Sequence, residues 1–216
     1  MVILSLKKLN NNYDKIANSY DVLSQFVFGK SQVNAQINQL KFIPENSSIL
    51  IVGGGTGWLL EEIKQVHSSG LTITYVEISE KMITLSKARN FGENTINFVQ
   101  LDIEEFYSSD RFDVILTPFL FDNFQLEKAE HIFNKLNLML KKGGLWFFVD
   151  FSLTSSKGKW WQRMLLNSMY LFFKLLGIVE ASKLIEMTQY FSRENFEIID
   201  EKLYYNEFIK AIVFKK

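Results

Sequence analysis

A glycine-rich turn between a buried strand and a helix constrains this chain more than any other feature. Four apolar residues, 49–52, run into the sequence GGGTG, and Trp58 then begins an apolar pattern with helical spacing. This order predicts a strand, a tight turn and a helix start. Glycines let a backbone approach a ligand closely, and the free N–H groups of a helix's first turn favour negative charge. The segment therefore predicts a nucleotide-type cofactor site in the first crossover of a doubly wound α/β sheet.

The spacing of the glycines separates two kinds of cofactor. A dinucleotide site needs the spacing G-x-G-x-x-G, in which the third glycine lies where helix and strand meet. Trp58 occupies that third position and is too bulky for the close approach, which disfavours a nicotinamide oxidoreductase. The chain has instead G-x-G-x-G, at Gly53, Gly55 and Gly57. With this spacing after a strand, the sequence resembles the class I S-adenosylmethionine-dependent methyltransferases.

Polar side chains also end the next three predicted strands. Glu77 ends the second strand, Asp102 follows the third and Thr117 the fourth. Because ligands of an open α/β sheet bind at the carboxyl ends of its strands, we expect these side chains to share one site with the glycines. An acidic residue about 20 positions past the glycines suits a ribose, whose two hydroxyls can both donate to one carboxylate. Glu77 alone would serve equally well as a simple strand end, so the assignment depends on the whole set.

The resemblance to the methyltransferase family gives these residues roles. It implies that Glu77 holds the ribose of S-adenosyl-L-methionine and that Asp102 accepts a hydrogen bond from the adenine amino group. Their apolar neighbours Ile78 and Ile103 would then pack against adenine. The complete set of expected cofactor-binding residues is Tyr20, Gly53, Gly54, Gly55, Gly57, Glu77, Ile78, Asp102, Ile103 and Thr117.

The order of the elements gives the fold class. The predicted strands are residues 49–52, 71–76, 96–101, 112–116 and 145–151, then 196–205 and 208–214. A helix at 127–140 and a turn at 141–144 precede the fifth strand, and Asn206 and Glu207 join the last two strands as a hairpin. The resembling family ends its sheet with such an antiparallel strand. We therefore predict an α/β fold, a Rossmann-like, doubly wound, seven-stranded sheet that is mostly parallel with an antiparallel C-terminal strand, plus a helical lid.

One position departs from the family pattern. The family usually carries Asp or Glu two residues before the first glycine, where it orients the glycine loop. This chain has Ile51 there. The substitution removes one polar anchor and leaves open a second interpretation, a non-catalytic relative that keeps the fold and binds the cofactor weakly or not at all.

The segment before the sheet is expected to cover the substrate. Residues 9–42 contain Y-D-x-I-A-x-x-Y-D, which is similar to the N-terminal helical part of small-molecule methyltransferases, including the quinone-biosynthesis C-methyltransferases. The resemblance implies that the second tyrosine, Tyr20, reaches the methionine end of the cofactor. The same residues could instead form one helical stripe that packs on the core.

A second segment outside the core, residues 152–192, is rich in aromatic side chains. It could pack over the ligand edge of the sheet or line a pocket for an apolar acceptor, and an exposed face of this size would suggest a dimer or a membrane contact. The chain then reads as one domain with a lid at 1–45, a cofactor-binding core at 46–151, a helical insertion at 152–192 and a C-terminal β-hairpin at 193–216.

Two carboxylates are candidate catalytic bases. Asp122 lies in the loop after the fourth strand, where relatives place residues that face the transferred methyl group, and Asp150 lies near the end of the fifth strand. That loop lacks the Asn/Asp-Pro-Pro-aromatic signature of methyltransferases that act on base or amide nitrogen. Asp122 could instead cap the helix that begins near Gln125.

Composition excludes several classes of function. Lys and Arg together number 24, as do Asp and Glu, and no basic run exceeds two residues, which argues against a nucleic-acid partner. The chain has no cysteine and two histidines, so no metal centre is expected. The N-terminal apolar run is too short for a signal peptide, and the most hydrophobic window, 164–179, is too short to cross a membrane. We therefore expect a cytoplasmic S-adenosyl-L-methionine-dependent enzyme that methylates a small, apolar or aromatic molecule; a membrane-associated interaction protein remains an alternative.

Overall fold

A seven-stranded sheet forms the centre of the fold. The computed structural model describes residues 13–17, 23, 26–153, 159–177, 179, 181 and 183–216. The strands are β1 (Ser48–Val52), β2 (Ser69–Glu77), β3 (Glu93–Gln100), β4 (Phe112–Pro118), β5 (Leu140–Phe151), β6 (Glu197–Tyr204) and β7 (Ile209–Lys215). Their order across the sheet is β3-β2-β1-β4-β5-β7-β6. The pairs among β1 to β5 are parallel, and β7 is antiparallel to both of its neighbours. The predicted fold class is confirmed.

Helices cover both faces of this sheet. They are α1 (Ser31–Ile37), α2 (Trp58–Val66), α3 (Glu80–Lys87), α4 (Leu126–Met139), α5 (Trp160–Leu175) and α6 (Thr188–Arg193), with 3-10 turns η1 (Tyr13–Lys15), η2 (Leu40–Phe42) and η3 (Phe121–Asn123). Alternate side chains of β1 enter opposite cores: Leu50 and Val52 pack with α4, whereas Ile49 and Ile51 pack with α2. Both faces of β1 are therefore buried, which explains its unbroken apolar sequence.

The C-terminal hairpin differs slightly from its prediction. Its strands end at Tyr204 and begin again at Ile209, so the turn is longer than the two residues expected. Tyr205, Asn206 and Glu207 all have positive φ angles, of 49°, 53° and 73°. Phe208, expected in the strand, is buried in an apolar cluster with Phe28 and Phe151. The Phe208 N–H donates to the Tyr205 carbonyl over 3.2 Å, so Phe208 belongs to the turn rather than to the strand.

The fifth strand begins earlier than predicted. Residues 141–144, expected as a turn, lie within β5 as a bulge, because Phe112 pairs with Leu140 and Val114 pairs with Leu145. The end of the chain closes this bulge. The Gly143 N–H donates to the Lys216 carbonyl over 2.8 Å, and the Lys216 N–H donates to the Gly144 carbonyl over 3.0 Å. The strand prediction failed here because these hydrogen bonds come from the far end of the sequence.

The helical segments outside the core meet at the carboxyl end of the sheet. One apolar cluster joins Phe28 and Ala35 of the N-terminal segment, Leu166 of α5, and Phe151 and Phe208 at the ends of β5 and β7. The division into a lid, a core, an insertion and a hairpin stays a prediction. Among the described helices, none has the length and apolar character needed to cross a lipid bilayer.

Candidate functional site

A cavity of about 960 Å³ opens at the carboxyl ends of the strands. The glycine loop and Asp102 line one part of it, and residues of both outer segments, such as Val27 and Met169, line another. Small-molecule pockets commonly measure roughly 300–1,000 Å³. A cavity at the upper end of that range has room for a nucleoside cofactor and a second small molecule together.

The backbone of the glycine loop adopts a conformation that is strained for residues other than glycine. Gly53, Gly55 and Gly57 have φ angles of 67°, 65° and 79°, in the left-handed region that favours glycine. A Cβ atom on Gly54 would lie 2.3 Å from the Tyr75 ring, and one on Gly57 would lie 2.7 Å from Ser86. Glycine is therefore required at these positions by conformation or by close contact.

Two residues that sequence reasoning missed fix this loop. The Tyr75 hydroxyl donates to the Gly55 carbonyl over 2.9 Å, and the Ser86 hydroxyl lies 3.1 Å from that of Tyr75. Ile51 is buried in the core and makes no polar contact with the loop. Tyr75 lies two residues before Glu77 on β2, so both side chains point to the same face of the sheet. A tyrosine two residues before the acidic strand end was therefore the sequence signal that could have identified Tyr75 as a residue of the site.

Glu77 also holds the loop from the second strand. Its Oε2 accepts a hydrogen bond from the Gly55 N–H over 3.0 Å, and its Oε1 accepts one from the Ser79 N–H over 2.9 Å. Burial raises the pKa of Glu77, an effect that the hydrogen bonds from Ser79, Gly55 and Ile78 oppose. The two oxygens of an ionised carboxylate offer about four accepting positions, more than these backbone N–H groups occupy, and Glu77 lines the cavity.

The N-terminal motif reaches the site through its first tyrosine and aspartate. The Tyr13 hydroxyl donates to Asn123 Oδ1 over 2.6 Å, and the Ser79 hydroxyl donates to Asp14 Oδ1 over 2.6 Å. η1 thereby spans from the start of α3 to η3, and Tyr13 lines the cavity. Tyr20, the residue expected to contact the cofactor, lies outside the described residues.

Most of the expected cofactor residues line this one cavity: Gly53, Gly54, Gly55, Glu77, Ile78, Asp102 and Ile103. Asp102 accepts a hydrogen bond from the Glu104 N–H over 2.9 Å, which fixes its carboxylate in a turn after β3. Trp58, in the position of the third dinucleotide glycine, also lines the cavity.

Gly57 and Thr117 do not line the cavity. Gly57 is the N-cap residue of α2 and packs against Ser86. Thr117 is buried, and its hydroxyl accepts a hydrogen bond from Trp146 Nε1 over 2.9 Å. The neighbouring Pro118 lines the cavity instead. The expected cofactor contact of Thr117 is therefore corrected: adjacent side chains on a strand point to opposite faces, and the threonine faces the core.

The two candidate catalytic carboxylates occupy different depths. Asp122 lies in η3 and lines the cavity. The N-cap residue of α4 is Gln125, so the alternative role of Asp122 as a helix cap is wrong. Asp150 is 3% exposed and does not line the cavity. Its Oδ1 accepts a hydrogen bond from the Phe151 N–H over 2.8 Å, whereas its Oδ2 has no hydrogen-bond partner among the described residues.

Burial and mutual repulsion change the protonation of this acidic pair. Burial raises the pKa of Asp150 to about 7. Burial, together with the negative charge of Asp150, raises the pKa of Asp122 well above its usual range. Two carboxyl groups that interact in this way titrate as a unit rather than separately. The pair can therefore hold a proton near neutral pH and accept one from a bound molecule.

A phenol that sequence reasoning missed stands beside this pair. Tyr170 of α5 is 7% exposed and lines the cavity, and its hydroxyl has no hydrogen-bond partner among the described residues. Burial and the charges of Asp122 and Asp150 raise its pKa, so the hydroxyl stays protonated and can donate. Its aromatic ring fits the apolar pattern of α5, which gave no signal of a polar role. In the described part of the chain, no group of three acidic, histidine or cysteine side chains could hold a metal ion.

The fold and the site together define a class of protein. A doubly wound sheet with β7 inserted antiparallel beside β5, a glycine loop after β1, and carboxylates after β2 and β3 is the class I methyltransferase arrangement. A family model described as "Methyltransferase domain" matches residues 49–144. The predicted resemblance to the class I methyltransferases is confirmed, and residues 49–144 match a methyltransferase domain.

Relatives with curated names are also methyltransferases. Malonyl-acyl-carrier-protein O-methyltransferase 2 of Ilyobacter polytropus is 28% identical over 152 residues, which cover 69% of this chain and 56% of that protein. The ubiquinone/menaquinone biosynthesis C-methyltransferase UbiE of Geotalea daltonii is 28% identical over 153 residues, covering 68% of this chain and 64% of that protein. The chain therefore matches less than two thirds of the length of each of these two relatives.

A solved structure shows the same fold over almost the whole chain. The N-methyltransferase NodS from Bradyrhizobium japonicum, in complex with S-adenosyl-L-homocysteine, superposes with a TM-score of 0.69. The match covers 96% of this chain and 99% of NodS at 14% sequence identity. At this identity the likeness establishes the fold.

Proposed function

We propose that this protein is an S-adenosyl-L-methionine-dependent methyltransferase that acts in the cytoplasm on a small, apolar or aromatic molecule. The observation that carries this proposal is the single cavity shared by two different sets of residues. The glycine loop, Glu77 and Asp102 line one end of it, and Asp122 and Tyr170 line the other. The names of these relatives give different methyl acceptors, so they support the reaction class. The kind of acceptor has to be inferred from the residues that line the cavity of this chain.

The residues at the first end suit the proposed cofactor. The Glu77 carboxylate can accept hydrogen bonds from ribose hydroxyls, and Asp102 can accept from the adenine amino group. Ile78 and Ile103 offer apolar surface to the adenine ring. At Gly55 a Cβ atom would meet nothing within 4 Å, so the loop leaves open space there. Bound S-adenosyl-L-methionine would supply an electrophilic methyl group on its sulfonium. A contact between Tyr20 and the methionine end of the cofactor stays part of the proposal.

The residues at the second end suit an acceptor that loses a proton. Aromatic and aliphatic side chains form most of this wall: Val27, Phe28, Phe119, Phe124, Phe151, Leu165, Met169 and Phe173. Asp122 can take a proton from a hydroxyl, an ammonium or an acidic C–H group, which frees the electron pair that would bond to the methyl carbon as S-adenosyl-L-homocysteine leaves. Asp150, behind Asp122, raises the pKa of that base, and Tyr170 can donate a hydrogen bond to the acceptor. The surrounding apolar wall excludes water.

Two alternatives have less support. The non-catalytic relative depends on the missing acid at Ile51, but Tyr75 and Glu77 hold the glycine loop from β2. A nucleic-acid acceptor would need many phosphate contacts, and the chain has equal numbers of acidic and basic residues. We therefore infer a small-molecule acceptor.

Isothermal titration calorimetry with S-adenosyl-L-methionine and S-adenosyl-L-homocysteine tests the proposal. We expect both compounds to bind. S-adenosyl-L-homocysteine should also raise the melting temperature, whereas NAD and NADP should not, because only a ligand that binds the folded state stabilises it. Absence of titration heat at high micromolar cofactor would favour the non-catalytic relative. A melting-temperature shift with a dinucleotide alone would overturn the assignment of the glycine loop.

A further inference from the structure

Helix α5 has two apolar faces, and only one of them is covered. Its inner face packs Leu166 and Tyr170 against Phe151 of β5 and Ile209 and Ala211 of β7. Its outer face carries four large apolar side chains that are exposed to solvent: Trp160, Met164, Leu171 and Leu175. An amphipathic helix of a globular protein normally turns a polar face outward. The outer face of α5 therefore departs from the pattern that the fold alone requires.

These four side chains form a narrow stripe. At 3.6 residues per turn they fall within about 60° of one another and run along a helix about 24 Å long. Exposed cations border the stripe on one side, at Arg163 and Lys174. We call Trp160, Met164, Leu171 and Leu175 the outer stripe.

The charge of the surrounding sequence has one sign. Between Asp150 and Glu180 the chain has no acidic residue, and its basic residues there are Lys157, Lys159, Arg163 and Lys174. Acidic and basic residues balance over the chain as a whole, at 24 each. This excess positive charge is thus confined to the segment that also exposes the outer stripe.

The other border of the stripe is next to the cavity. Ser168 and Phe172 are exposed on that side of α5, and both also line the cavity. Part of the cavity lining therefore reaches the surface of α5 beside the outer stripe, and the exposed Phe172 ring is apolar there. A surface that contacts the stripe would lie close to this wall of the cavity.

We propose that the outer stripe docks on the surface of an anionic lipid bilayer. The apolar side chains would enter the boundary between headgroups and acyl chains, while Arg163 and Lys174 contact anionic headgroups. Trp160, at the first turn of α5, is of the residue type that favours this interface. The protein would remain on one leaflet, consistent with the absence of a bilayer-spanning helix from the described part of the chain.

The stripe fits a lipid surface better than a second copy of the chain. A stable protein interface buries roughly 800 Å² on each partner, more than four side chains of this size expose. Two copies facing through this helix would also bring their cations together, at Arg163 and Lys174, which costs energy. A bilayer needs no complementary shape and supplies the opposite charge.

Vesicle flotation tests the docking surface without an acceptor or a cofactor. The wild-type chain is mixed with vesicles of phosphatidylcholine and phosphatidylglycerol, or of phosphatidylcholine alone. We expect binding to the anionic vesicles, weakened by high salt and at least about tenfold weaker to the neutral ones. The double variant Leu171→Glu/Leu175→Glu should lower binding at least about tenfold, because it places two carboxylates in the stripe. Arg163→Gln/Lys174→Gln should weaken it and reduce its salt dependence.

A matched control separates the stripe from exposed apolar residues in general. Leu138 of α4 is 70% exposed, comparable with Leu171 at 61% and Leu175 at 78%. Leu138→Glu should bind vesicles as the wild type does. All variants should keep the wild-type melting temperature and affinity for S-adenosyl-L-homocysteine, since none of these side chains lines the cavity.

Three results would overturn the proposal. The wild type could fail to float with anionic vesicles, or Leu171→Glu/Leu175→Glu could float as well as Leu138→Glu does. The wild type could instead elute as a dimer that the double variant separates, without vesicle binding, which would make the stripe a self-interface. A wild type that does not bind the cofactor would refute the proposed function. The docking proposal would still be supported or overturned by the vesicle results alone.

Discussion

The two ends of the cavity differ in how their polar groups are satisfied. At the cofactor end, Glu77 accepts hydrogen bonds from Gly55 and Ser79, and Tyr75 donates to the same loop. At the acceptor end, the Tyr170 hydroxyl lines the cavity and has no hydrogen-bond partner among the described residues. An unpaired polar group that is buried costs roughly 1–3 kcal/mol. One end is therefore preformed by its own contacts, and the other keeps a phenol hydroxyl, that of Tyr170, which a bound molecule can satisfy.

This difference separates recognition from chemistry. The paired groups around the glycine loop hold a fixed shape, as a site for one invariant ligand requires. The acids Asp122 and Asp150 have raised pKa values and can change protonation state, as proton transfer requires. Substitutions at the acceptor end should therefore change turnover and its pH dependence, whereas substitutions at the cofactor end should change cofactor affinity.

Asp122→Asn should abolish most of the turnover. The variant keeps the size of the side chain but cannot take a proton, and loss of a general base lowers kcat by roughly 10²–10⁴-fold. Affinity for S-adenosyl-L-homocysteine should stay at the wild-type value, because the glycine loop is untouched. Wild-type kcat should rise with pH as Asp122 ionises, above the usual range of an aspartate because its pKa is raised, and the variant should lose that rise. Initial rates of S-adenosyl-L-homocysteine formation, measured across pH, give both the loss of turnover and the change in pH dependence.

Asp200→Asn, on the edge strand β6, is the matched control for that experiment. Asp200 lies outside the cavity lining, so its variant should keep the wild-type rate and pH profile. Equal rates for Asp122→Asn and wild type would show that the acceptor needs no base from this chain.

Asp150→Asn should stabilise the protein at high pH. The folded-state pKa of about 7 lies above the usual value near 3.9, so the folded protein holds a proton that the unfolded chain releases. Stability then falls as the pH rises from about 4 to about 7, and ionisation costs roughly 2–4 kcal/mol above that window. Asparagine stays neutral and can still accept the Phe151 N–H. Urea unfolding should show the variant to be more stable than wild type at pH 8 and equal to it near pH 4.

Asp113→Asn should change the stability in the opposite direction to Asp150→Asn. The hydrogen bonds from Lys141 and Ser48 outweigh its partial burial and lower its pKa. Its carboxylate stabilises the fold at pH values above its ordinary pKa, and this contribution is lost as the pH falls through the depressed one. Asp113→Asn should therefore be less stable than wild type at neutral pH, whereas Asp150→Asn is more stable. Two variants with the same sign would contradict the electrostatic argument.

Glu77→Ala should weaken cofactor binding without preventing folding. The change removes a charge-assisted acceptor, worth roughly 1.5–3 kcal/mol, or about tenfold to a hundredfold in affinity. It also frees the Gly55 and Ser79 N–H groups that Glu77 now holds. Titration with S-adenosyl-L-homocysteine measures the loss. Glu80→Ala, on the exposed first turn of α3, should bind within about twofold of wild type; an equal loss in both variants would assign the effect to α3 rather than to the carboxylate.

The cofactor end could be predicted from sequence because its signals are local. A buried strand followed by Gly53 to Gly57, and single acids after the next strands, identify one edge of the sheet without any distance information. The supporting contacts are not local: Ser86 lies 31 residues from Gly55, and Tyr13 lies 110 residues from Asn123. Thr117 was misassigned for a similar reason, since its bond to Trp146 depends on the register of β4 against β5.

The acceptor end was harder to predict because its residues lie in apolar patterns. Tyr170 falls on the inner face of α5, where an aromatic residue is expected to pack in a core, and its unpaired hydroxyl emerges only from the fold. Asp150 is the last polar residue of a strand with an apolar sequence, and its depth behind Asp122 depends on how β5 meets η3. The strand ends identified Asp122 and Asp150 as candidate bases, but only the fold shows that Asp122 lines the cavity and Asp150 does not.

Tyr170→Phe should have the smallest effect and the most informative one. It removes a hydroxyl that lacks a partner among the described residues, so stability should stay equal to wild type or rise by about 1 kcal/mol. If the acceptor uses this donor, its KM should rise roughly 2–10-fold, the value of one hydrogen bond, with the cofactor affinity unchanged. Tyr205→Phe is the counterpart, because the Tyr205 hydroxyl donates to the Val27 carbonyl over 2.9 Å. That variant should lose about 1 kcal/mol of stability. Calorimetric melting and acceptor titrations of both variants separate the cases: a stability loss at Tyr170 like that at Tyr205 would mean that its hydroxyl is structural, and the division between the two ends of the cavity would fail.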